Sequence, residues 1–84
     1  MNKTLHEGNT FRLVEFRHRK QKNSAPMYHI IWYNWKTMSA GDEEIMRDMI
    51  DPERNIGGKY ANTWKFRDRI KAEKMYIMLT MRWA

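Results

Sequence analysis

Met27-Tyr28-His29-Ile30-Ile31-Trp32-Tyr33-Asn34-Trp35-Lys36 decides how this chain folds. Aromatic and β-branched residues fill the stretch almost without interruption, which is strand composition rather than helix composition. Alternation puts Tyr28, Ile30 and Trp32 on one face and His29, Ile31, Tyr33 and Trp35 on the other. Both faces are apolar, so the sheet is expected to be covered twice, once by helices and once by a partner subunit.

Working outward from that strand, residues 11–20 read as a second one. Phe11 and Leu13 share one face, and Val14 and Phe16 share the other. That change of phase implies a bulge or burial on both sides. Gln21-Lys22-Asn23-Ser24-Ala25-Pro26 is turn chemistry, so the two strands are expected to form a hairpin. Residues 1–9 are polar, contain Gly8-Asn9, and read as a flexible N-terminal arm before a single domain over 10–84.

On the other side, Ser39 is suited to cap a helix whose first turn carries Asp42, Glu43 and Glu44. Ile45, Met46, Met49 and Ile50 recur at helical spacing, and Asp51-Pro52 ends the run. Residues 62–67 predict a short strand with Trp64 and Phe66 on one face. Asp68 would then cap a helix from 69 to about 82, with Ala72, Tyr76, Leu79 and Trp83 along one side. A strand over 76–83 is the competing reading, because Ile77 and Thr80 favour it. The expected architecture is α+β, with a small three-stranded antiparallel sheet and two helices in the order β-β-α-β-α.

Charge is sorted along the 84 residues, whose formal net charge is +6. Residues 10–36 carry six basic side chains against Glu15 alone. Residues 37–54 carry six acidic ones against Arg47 and Arg54, and residues 55–84 carry seven basic ones against Asp68 and Glu73. Two basic segments flanking an acidic one point to a polyanion, most simply nucleic acid, with RNA the expected partner. The phosphate-binding candidates are Arg17, Arg19, Lys20 and Lys22 at the hairpin, and Lys65, Arg67, Arg69 and Lys71 at the strand–helix junction. Solvated cations also guard exposed strand edges, which is the plainer use of such residues. Tyr28 and Trp32 are candidates for base stacking, against core packing as the alternative.

Catalytic signals are few. There is no glycine-rich phosphate loop and no spaced metal-ligand set, and the absence of cysteine excludes disulfides and thiolate zinc sites. No cofactor or metal is expected. His18 and His29 can face each other across the hairpin, which together with a lysine would permit acid–base cleavage of RNA. Ser24 and Ser39 sit in turn and cap contexts. No apolar run of about 18 residues exists, so no membrane span is expected. The opening Met1-Asn2-Lys3-Thr4-Leu5-His6-Glu7 lacks a signal-peptide core, and the expected location is cytoplasmic. Eight Met and four Trp residues suit a small core or an adaptable association surface, and the thin core of a chain this short makes a homodimer plausible.

Ile31-Trp32-Tyr33-Asn34-Trp35, then Trp64-Lys65-Phe66, Ala72, Tyr76 and Met81-Arg82-Trp83, resemble the small, basic, Met- and Trp-rich accessory proteins with which T-even-like phages act on host machinery. Within that anti-host-defence group the chain is most similar to the TifA-type toxin inhibitors. The resemblance implies RNA-dependent neutralisation of the endoribonuclease of a host type III toxin–antitoxin system, in the host cell cytoplasm. It transfers no individual functional residue. Two other functions stand beside this one: a protein-only anti-defence adaptor that contacts a host protein through the acidic helix and the Met/aromatic surface, and a small metal-independent ribonuclease.

Overall fold

The computed structural model describes residues 2–17, 25–33, 38–50 and 62–83. Within them the chain runs β1 (Asn2–Glu7), β2 (Phe11–Phe16), β3 (Met27–Trp32), α1 (Ala40–Ile50), β4 (Thr63–Phe66) and α2 (Arg69–Trp83). The strands form one antiparallel sheet in the order β1-β2-β3-β4. The α+β class with two helices agrees with the sequence reading, and residues 76–83 are helical. The strand count does not agree: the sheet has four strands rather than three, and the order is β-β-β-α-β-α.

The extra strand is β1, in the segment expected to be a loose arm. Its sequence, Asn-Lys-Thr-Leu-His-Glu, is almost wholly polar and its residues are mostly exposed; Leu5 packs against the core and the His6 ring stacks on Tyr76. It is held by pairing with β2 rather than by burial. That pairing covers an edge of β2 that would otherwise present unpaired backbone groups. Gly8-Asn9 is therefore the turn of a hairpin, closed by the Gly8 N–H donating to the Phe11 carbonyl at 3.0 Å. The irregularity foreseen in β2 lies in β1, between Thr4 and His6, while β2 itself is buried on both faces.

One hydrophobic cluster fills the space between the sheet and the helices. Phe11, Leu13, Tyr28, Ile30, Trp32, Trp64 and Phe66 come from a single sheet face, Met46 and Ile50 from α1, and Ala72, Met75, Tyr76 and Leu79 from α2. The register explains the sharing of a face. Phe11 lies opposite Trp32, Leu13 opposite Ile30, Ile30 opposite Trp64, and Tyr28 opposite Phe66. Both helices start where their caps dictate. The Ser39 hydroxyl accepts from the Asp42 N–H at 3.1 Å, and the Asp68 carboxylate accepts from the Ile70 N–H at 2.9 Å.

Tyr76 ties the first hairpin to the last helix. Its hydroxyl donates to the Phe11 carbonyl at 3.1 Å, the same oxygen that closes the Gly8 turn, and its ring stacks with His6 at 5.4 Å. A Cβ on Gly8 would lie 2.9 Å from the Tyr76 hydroxyl oxygen and 3.0 Å from the Phe11 carbonyl oxygen, so this approach requires glycine. Gly8→Ala should destabilise the fold by about 1–3 kcal/mol, and Tyr76→Phe by about 0.5–1.5 kcal/mol. Because Tyr76→Phe removes one of the two clashing atoms, urea unfolding of the double variant should show a loss smaller than the sum of the single losses. Strict additivity would contradict this geometry.

Candidate nucleic-acid interface

The register places Arg17, from the first basic segment, and Arg67, from the second, at one end of the sheet. Phe16 pairs with Met27, and Tyr28 pairs with Phe66, so β2 and β4 both finish beside the start of β3. Arg17 follows β2, Arg67 follows β4, and Arg69 opens α2 with Lys71 two residues on. All four are exposed. Arg17 bonds Glu15 at 3.2 Å, and Arg69 bonds Glu73 at 2.7 Å. The Glu73 carboxylate raises the pKa of the Arg69 guanidinium, and Glu15 adds to the effect across the β2–α2 gap. Among the described residues neither Lys65 nor Arg67 has a salt-bridge partner. Arg19, Lys20 and Lys22 lie outside the described residues.

The acidic helix meets the sheet at the other end. Arg47 of α1 sits over the Trp32 and Trp64 rings, 5.7 and 5.6 Å from their centroids, and pairs with Glu43 at 3.2 Å. Trp32 closes β3 and Met27 opens it, so Arg47 and its partner Glu43 meet the sheet at the end of β3 away from its Met27 start.

The face opposite the helices carries Arg12, Val14 and Phe16 from β2, His29 and Ile31 from β3 with Tyr33 just beyond, and Thr63 and Lys65 from β4. Val14, His29 and Lys65 lie in register across three strands. Val14 is only 3 % exposed yet stands apart from the cluster beneath the helices. The Phe16 and His29 rings stack around it, with centroids 5.3 Å apart and planes 12° apart. The Arg12 guanidinium lies 5.7 Å from the centre of the Tyr33 ring, whose hydroxyl donates to the Glu7 carboxylate. Burial, and then the charge of Lys65, push the His29 imidazole below its ordinary value, which favours the uncharged ring.

This arrangement corrects the choice of stacking residues. Tyr28 and Trp32 are 8 % and 6 % exposed and belong to the core under the helices, so no base can reach them. Among the described residues, the rings on the opposite face are Phe16, His29 and Tyr33. The alternation of the strand separates the two sets correctly, and the packing of α1 and α2 against one of them decides which is covered. Lys65 does lie opposite Trp64 and Phe66, as the spacing predicts. Of the catalytic candidates, His29 neighbours Phe16 and Lys65, Ser39 is engaged as a cap, and His18 and Ser24 lie outside the described residues.

Comparison with protein-family models, curated proteins and solved structures finds no match to this chain. No described helix is long and apolar enough to cross a membrane.

The environment of His29 has a thermodynamic consequence. An imidazole whose pKa is lower folded than unfolded leaves the unfolded chain binding more protons as the pH falls through about 6.5. Stability should therefore decrease from pH 7 towards pH 5, and His29→Phe should flatten that part of the profile. Urea midpoints measured across the range check this, and an unchanged slope in the variant would contradict the assignment.

Proposed function

We propose that this chain is a non-enzymatic RNA-binding protein that grips phosphates at the Arg17–Arg67 end of its sheet. The observation that supports the reading is the common exit of β2 and β4, which brings Arg17 to the same end of the sheet as Arg67, although the acidic segment separates them in sequence. Arg17, Lys65, Arg67, Arg69 and Lys71 supply the contacts there, and the acidic helix at the far end orients the strand by repulsion. Each phosphate neutralised releases counterions, so binding is steeply salt-dependent.

The resemblance to phage accessory proteins gives the biological reading: an inhibitor of a host endoribonuclease toxin of a type III toxin–antitoxin system, acting with RNA. An exposed apolar row on α2 supports a protein partner. Ile70, Ile77, Met78 and Met81 all face outward, the last 82 % exposed. The same row favours a second reading, a protein-only adaptor to which the basic charge is incidental. Exhaustive nuclease digestion of a captured complex separates the two, because only the adaptor's complex survives.

Paired reversals Arg17→Glu and Arg67→Glu should weaken RNA binding at every sequence tested. They should also reduce the slope of log affinity against log salt by about 2. Circular dichroism should be unchanged, since both side chains are exposed. Full RNA binding by the folded double variant would refute the reading.

A further inference from the structure

The face of the sheet away from the helices has rings, charge and a hydrophobic floor, and no described helix packs on it. Phe16 and His29 form a stacked pair beside buried Val14, and Tyr33 lies further along β3 with Arg12 over its ring. Arg12 and Lys65 give the face its cations, and Arg17 and Arg67 border it where β2 and β4 end. We propose that this face is a stacking platform for unpaired bases, with the Phe16–His29 pair as one seat and Tyr33 as a second, so that the preferred ligand is single-stranded RNA. The proposal rests on the RNA-binding reading above and adds the strandedness of the ligand and the residues that read it.

Three observations favour this occupant. Bases stack on aromatic rings whatever their identity, and a neutral His29 offers a ring face without a buried charge. His29 and Tyr33 are separated by about 13 Å of strand, against about 3.4 Å per nucleotide along a stacked strand of duplex. The two seats therefore lie several nucleotides apart along one strand, and a duplex presents no free base to either. A second copy of the chain is a poorer fit. It would bring two sets of Arg12 and Lys65 together, with Glu7, already accepting from Tyr33, as the nearby carboxylate.

Fluorescence anisotropy with three labelled ligands of about 12 nucleotides tests the proposal at one salt concentration: single-stranded oligouridine, an RNA duplex, and an abasic ribose-phosphate strand. The full chain should bind oligouridine at least about tenfold more tightly than either of the others. Phe16→Ala should lose about tenfold on oligouridine and little on duplex, while Phe16→Tyr keeps the affinity of the parent. Equal affinity for oligouridine and the abasic strand overturns the platform with no variant needed. So does a folded Phe16→Ala that keeps full affinity, or one that changes only the oligomeric state. Failure to bind any of the three ligands overturns the RNA-binding reading itself.

Discussion

Leu13, Ile30 and Trp64 lie in register across β2, β3 and β4, each almost completely shielded from solvent. This inner row is the constraint on which the rest of the molecule depends. Side chains alternate along a strand, so a slip of one residue at either pairing would turn a buried row outward and bring its polar neighbours in. The neighbours are the polar His29 and Lys65 with Val14, itself buried, and they form the outer row in the same register. Large-to-small changes at such shielded positions cost about 2–5 kcal/mol, enough to set the register firmly in a small domain.

The electrostatics follow from that register. Because β3 pairs with β2 on one edge and β4 on the other, both antiparallel, the basic residues that leave β2 and β4 must emerge together. The acidic helix belongs to the connection at the opposite end, where Arg47 settles over Trp32 and Trp64. Arg17 and Arg67, far apart in sequence, thus come to share one end of the sheet. The N-terminal hairpin adds to the same frame through the shared Phe11 carbonyl, which accepts from both Gly8 and Tyr76.

Much of this was legible before any fold was known. The alternation in β3, the cap residues Ser39 and Asp68, and the row Ala72, Tyr76, Leu79 on α2 each announce themselves locally. Strand β1 did not, because an exposed edge strand held by backbone pairing needs no apolar pattern; only Gly8-Asn9 hinted at the turn. The sidedness of the sheet was also hidden. Tyr28-Ile30-Trp32 and His29-Ile31-Tyr33 are comparably apolar, and only the apolar surfaces of α1 and α2 choose between them. That is why the stacking candidates fell on the covered face. That Arg17 and Arg67 share one end of the sheet was a question of pairing order, which no single segment encodes.

The central claim is that RNA occupies the outer row and the Arg17–Arg67 end while the acidic helix stays clear. Backbone amide chemical shifts of the isotopically labelled protein, titrated with single-stranded oligouridine, test it most directly. The account predicts saturable changes concentrated at Phe16, Arg17, His29, Ile31, Lys65 and Arg67, with Glu44 to Asp48 undisturbed. Changes centred on α1, or on the outward face of α2 around Ile77 and Met81, would contradict it.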